Sequence, residues 1–60
     1  MTTQIKLNIQ SSFQKEFSLT PHTIRVDGTY GYAQATGTGA MWCKLTKTGK
    51  VKGGSWRLDK

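Results

Sequence analysis

Glycine-containing turn signals divide the second half of this chain into short segments, and this punctuation constrains the fold more than any other feature. Asp27-Gly28 is typical of a two-residue β-hairpin loop, because both residues tolerate a positive φ. Lys47-Thr48-Gly49 suits a three-residue loop with glycine in the left-handed position. Thr36-Gly37-Thr38-Gly39 indicates a further turn or bulge. The segments between these turns are therefore predicted to be β-strands.

Residues 3–19 are predicted to add two more strands. Ile5, Leu7 and Ile9 alternate with polar residues, and a period of two favours a half-buried strand. A short turn at residues 10–12 would let the pattern continue on a second strand. This interpretation places the apolar side chains of both strands on one face of a sheet.

A short helix over residues 12–19 is the alternative for the second of these segments. Ser11 and Gln14 have the spacing of a helix capping box. Phe13 and Phe17 lie four residues apart, which brings side chains together on one helix face. The strand is the preferred prediction, and the helix stays open beside it.

The combined patterns predict an all-β fold for residues 1–60, which form a single small β domain. Five to six short antiparallel strands would follow one another as a hairpin meander. That number suits a small open sheet or an SH3-like or OB-like partial barrel. The predicted strands are Thr3–Gln10, Phe13–Leu19, His22–Val26, Thr29–Thr36, Ala40–Thr46 and Lys50–Leu58.

The last hairpin, residues 40–58, contains both tryptophans, and Gly53-Gly54 decides which face each one occupies. Glycine inside a strand often marks a bulge. With one extra residue at this point, Trp56 and Leu58 join the apolar face, and Trp42 lies on the opposite, basic face. Without the bulge both tryptophans would share one face. The bulged register separates apolar from charged residues better and is the one predicted.

Small size and a single cysteine limit how the domain is stabilised. Cys43 has no partner for an internal disulfide, and one cysteine with one histidine falls short of the four ligands of a structural zinc site. A chain of 60 residues buries only a modest share of its surface. That leaves tight packing or self-association, and we expect a homodimer or higher oligomer. No metal or cofactor is expected.

Catalytic groups that could meet are scarce. Cys43 and His22 form the one conceivable pair of nucleophile and base. Cys43 alternates in phase with Met41 and Leu45, however, which favours a buried hydrophobic role for its side chain. His22 follows a proline at a turn and is predicted to lie at the surface. We expect no catalytic residues and no enzyme activity.

The net charge of +6 indicates an acidic partner. Such a charge suits nucleic acid or an acidic protein surface. The longest apolar run, residues 40–43, is far below the roughly 20 residues of a membrane span, and the first residues lack the pattern of a signal peptide. A cytoplasmic protein without membrane contact is therefore predicted.

A surface that combines aromatic and basic side chains is the candidate site. Aromatic rings stack on bases, while lysine and arginine neutralise phosphates. The leading hypothesis is a small nucleic-acid-binding protein, for single- or double-stranded ligands. The alternative is an interaction module or small inhibitor that binds an acidic surface on a partner protein. The predicted site residues are Trp42, Lys44, Lys47, Lys50, Lys52, Arg57, Tyr30, Tyr32 and Arg25.

Overall fold

A single helix packs on one face of a three-stranded antiparallel sheet. The structure, a computed structural model, describes residues 2–58 and their side chains from residue 4 onward. The elements in chain order are α1 (Thr2–Phe17), β1 (Thr23–Asp27), β2 (Tyr30–Ala35) and β3 (Gly39–Lys44). The strands lie in the order β1-β2-β3, so β2 is central. No helix within residues 2–58 is long and apolar enough to cross a membrane.

The prediction of an all-β fold with five to six strands is wrong, because α1 occupies the region assigned to the first two strands. The physical reason is a repeat of four that runs without interruption through the predicted turn. Its members lie on one side of a helix: Ile5, Ile9, Phe13 and Phe17. Leu7, which the strand interpretation placed beside Ile5 and Ile9, is instead 51% exposed. The helical alternative covered only residues 12–19, and the helix is far longer.

The helix ends at a residue in the left-handed conformation. Ser18 has a φ of 57°, and its N–H donates to the carbonyl of Gln14 at 2.8 Å. A left-handed residue just past the last turn is a common way to end a helix. Pro21 follows three residues later and is buried. Proline has no backbone N–H to donate, so the helix cannot continue through it.

The β1–β2 hairpin forms as predicted, but its register differs from the prediction. The loop is Gly28-Thr29, with Gly28 at a φ of 61°, and Asp27 pairs with Tyr30. A glycine with positive φ at the first loop position is what a type II′ turn requires. The predicted loop at Asp27-Gly28 would have placed Arg25 opposite Tyr30, whereas the observed loop places it opposite Tyr32.

The final segment, residues 50–58, runs along β3 on the side away from β2 and does not form a regular strand. Leu45 pairs with Val51, and Trp42 pairs with Arg57. Between these bridges β3 advances three residues while the opposing segment advances six, so three extra residues loop out. The predicted bulge contained one extra residue. One and three are both odd, so in either case the side chains that follow change to the opposite face of the sheet.

The phase change places Trp56 as predicted but not Leu58. Trp56 packs against the core, with its ring centroid 5.3 Å from that of Phe13 and 6.0 Å from that of Phe17. Its indole N–H donates to Ser12 Oγ at 3.0 Å. Leu58 was expected on the apolar face, yet it is 64% exposed. Trp56 thus attaches the final segment to the helix.

The core lies between α1 and the inner face of the sheet, which we define as the face toward the helix. The central strand contributes only small residues there. A Cβ built on Gly31 would lie 2.8 Å from Cys43 Sγ and 2.8 Å from Ile9 Cδ1, so the helix approaches β2 as closely as glycine allows. The buried core consists of Ile9, Phe13, Ala33, Ala35, Met41, Cys43 and Leu45.

Replacing Gly31 with alanine should therefore destabilise the fold. The new methyl group would force Ile9 and Cys43 apart, and such overpacking costs about 1–3 kcal/mol. The matched control is Gly53→Ala, where a Cβ meets nothing within 4 Å and the expected change is within about 0.5 kcal/mol. Urea unfolding of both variants measures the free energies. Equal stabilities for the two variants would contradict the close approach.

Candidate functional site

The candidate site is the outer face of the sheet, which we define as the face away from α1. Alternation along each strand decides which side chains reach it. The register of the two strand pairs then sets their neighbours across the sheet. The outer-face residues are Thr23, Arg25 and Asp27 on β1, Tyr30, Tyr32 and Gln34 on β2, Ala40, Trp42 and Lys44 on β3, and Arg57 beside β3.

Two aromatic rings meet at the centre of this face. Trp42 exchanges two backbone hydrogen bonds with Arg57, each 2.7 Å, so its N–H and carbonyl both point away from β2. Trp42 and Tyr32 must then form a non-hydrogen-bonded pair, the kind whose side chains lie closer together. Their ring centroids are accordingly 4.8 Å apart, with the planes at 69°. Both rings are half-buried.

A cationic side chain lies at each end of this ring pair. Arg25 pairs with Tyr32, and its Cζ is 6.0 Å from the tyrosine ring centroid, at the outer limit of a cation–π contact. Arg57 pairs with Trp42 on the other side. Both arginines are exposed. The four residues Arg25, Tyr32, Trp42 and Arg57 form one line across the sheet, which we call the transverse row.

A second cationic group lies beside the row. Lys44 follows Trp42 on the same face and pairs with Tyr30. The N–H of Lys52 donates to the carbonyl of Lys44 at 2.9 Å, so the two lysines are neighbours. Both side chains are exposed. Like charges so placed repel one another, and a bound anion would relieve that repulsion.

Two of the predicted site residues lie away from the outer face. Lys47 and Lys50 belong to the turn that follows β3, and this turn folds toward α1. Gly49, at a φ of 84°, is buried against the helix: a Cβ built on it would lie 2.8 Å from Ile5 Cγ1. Asn8 Nδ2 donates to its carbonyl at 3.2 Å. The structure thus gathers Arg25, Tyr30, Tyr32, Trp42, Lys44 and Arg57, places Lys52 beside them, and leaves the turn lysines at the periphery.

Two further residues complete the face and were missed in the sequence. Gln34 accepts a hydrogen bond from the Tyr32 hydroxyl at 2.9 Å, and its phase along β2 was the signal that could have identified it. Ser55 accepts from the Lys44 N–H at 3.0 Å and donates to the Lys52 carbonyl at 2.7 Å. Because three residues loop out, no backbone carbonyl of the final segment takes the Lys44 N–H, and the Ser55 hydroxyl accepts it instead. No sequence pattern indicated that role.

Cys43 lies on the inner face, enclosed by the helix. It is 1% exposed, and burial raises the pKa of its thiol to about 11, against a smaller lowering by a hydrogen bond from the Gly31 backbone. Its predicted role as a buried hydrophobe is confirmed. His22 is exposed ahead of β1, with Nδ1 2.8 Å from Thr23 Oγ1. A nucleophilic cysteine needs a lowered pKa and access to solvent, and Cys43 has neither.

The buried thiol predicts slow alkylation of the native protein. At pH 8 a pKa raised from 9.0 to about 11 leaves roughly one hundredth of the thiolate present in the unfolded chain. The thiolate is the form that reacts, so the alkylation rate falls with it. Iodoacetamide should therefore modify Cys43 at least about 100-fold more slowly in buffer than in urea, as followed by mass spectrometry. Similar rates under both conditions would show that the thiol is not enclosed.

Comparison of the chain with protein-family models, with curated proteins and with solved structures found no match. A function can therefore be inferred from the outer face alone.

Proposed function

We propose that this protein binds nucleic acid through the outer face of its sheet and performs no catalysis. The observation that carries the proposal is the transverse row, in which two half-buried rings at the sheet centre are flanked by an exposed arginine on each side. Rings can stack on bases, and guanidinium groups can pair with phosphates in two parallel hydrogen bonds. One surface thus offers partners for both parts of a nucleotide.

The charge of the face supports an anionic ligand. Arg25, Lys44, Lys52 and Arg57 are exposed on or beside it, whereas Asp27 is its acidic residue within the described chain. The net charge of +6 adds long-range attraction. If these four cations each meet one phosphate, log affinity should fall against log salt with a slope of roughly −3 for a single strand.

Removal of two face cations should weaken binding more than removal of two cations elsewhere. The double variant Lys44→Gln, Arg57→Gln should lose about tenfold in affinity at low salt, and its salt slope should shrink by about 1.4. The matched control is Lys6→Gln, Lys15→Gln on α1, across the sheet from the site, which lowers the net charge equally. Fluorescence anisotropy of a labelled oligonucleotide measures both.

Equal losses in the two double variants would show that binding reflects net charge and not this face. Absence of binding at low salt would reject the proposed function. In that case the alternative, a module or inhibitor for an acidic protein surface, is supported by a partner that survives nuclease treatment and requires Trp42. That alternative draws on the same face, because an aromatic centre within a charged rim is also the anatomy of a protein interface.

Self-association stays a prediction, and β1 is the strand that we now expect at the interface. Residues 3–9, which were predicted to be a strand, belong to α1 and offer no strand edge. Among the described residues β1 pairs with β2 alone, so β1 is the edge at which a second copy could add a strand. Light scattering over a concentration series should then show a dimer. A monomer throughout would contradict the prediction.

A cytoplasmic location is likewise part of this proposal.

A further inference from the structure

The transverse row has the geometry of a site for unpaired bases. Its four residues lie on four neighbouring backbone segments, so it runs perpendicular to the strands. Neighbouring strands are about 4.8 Å apart, which puts the two arginine Cα atoms roughly 14 Å from each other. The rings occupy the middle of this distance and the cations its ends.

The backbone around the row holds the rings in position. The paired hydrogen bonds to Arg57 fix the Trp42 backbone, and the Tyr32 ring packs against the Trp42 ring. The Tyr32 hydroxyl donates to Gln34, which sets the orientation of its ring. Rings that are already oriented lose little conformational freedom when a base stacks on them. The row is therefore prepared for stacking before any ligand arrives.

We propose that the ligand of this face is a single strand of nucleic acid that crosses the sheet along the transverse row, with bases stacked at Tyr32 and Trp42 and phosphates at Arg25 and Arg57. This inference rests on the proposed function. On one flank of the row Asp27 lies on β1 and Lys44 on β3, so the β3 end of that flank is the more favourable for a phosphate.

A duplex fits this face less well. Its bases are stacked on each other and present only their edges in the grooves, where hydrogen-bonding side chains read them. The centre of this face is aromatic and cannot reach a base face without unpairing the duplex.

The test compares four ligands with the full chain at low salt. They are a labelled single-stranded DNA of about 12 nucleotides, the same sequence as RNA, the same sequence as duplex DNA, and an abasic strand with equal phosphates. We expect a single strand, as DNA or RNA, to bind at least about tenfold more tightly than the duplex and the abasic strand. DNA and RNA results then identify the sugar preferred.

Variants of Trp42 separate stacking from a structural role. Trp42→Phe keeps an aromatic face, whereas Trp42→Leu keeps only apolar bulk. Trp42→Leu should abolish most of the preference for the base-containing strand over the abasic one, and Trp42→Phe should retain much of it. That ratio does not respond to a general loss of folded protein, because both ligands are measured on the same sample.

Each of the remaining outcomes rejects a stated part of the proposal. Tighter binding of the duplex than of the single strand rejects this inference and leaves the proposed function standing. Equal affinity for base-containing and abasic strands rejects stacking at the row. A Trp42→Leu variant with an unchanged preference does the same. No binding of any of the four ligands rejects the inference and the proposed function together.

Discussion

The close approach of the helix to the central strand is the constraint on which the rest of the structure depends. The inner face of β2 carries Gly31, Ala33 and Ala35, so it offers almost no side-chain volume of its own. Ile9 and Phe13 fill the space and are fully buried. A domain of 60 residues can afford few such contacts, and dense packing at one place is how it obtains a core without a disulfide.

The sequence predicted which side chains share a face of the sheet better than it predicted which segments are helix and which are strand. Period-two alternation placed Tyr30, Tyr32 and Arg25 on one face correctly, because turn signals bounded those strands. It failed for α1, because Ile5 and Ile9 satisfy a period of two and a repeat of four equally well. Leu7 alone distinguishes the two, and an exposed leucine on a helix is common enough to mislead.

The small inner residues of β2 were the signal that could have corrected this error. A central strand with glycine and two alanines facing inward cannot form a core with its neighbouring strands alone. It needs bulk from another element, and the aromatic and branched residues of the N-terminal segment supply it. Arg57 was predicted on the basic face, but its exact partner depends on how many residues loop out after Lys52, which depends on Ser55 and not on any repeat.

Core and site are joined by two adjacent residues of the final segment. Trp56 points inward, where its ring meets that of Phe13 edge to face and its N–H donates to Ser12, and Arg57 points outward beside Trp42. Alternation forces this division once the looped-out residues have changed the phase. The position of Arg57 in the transverse row is therefore a consequence of how Trp56 packs against the helix. A ring pair alone could serve only to cover the sheet backbone from water. The arginine that the core holds at one end, with a second at the other, adds the charge on which the proposed binding of a single strand depends.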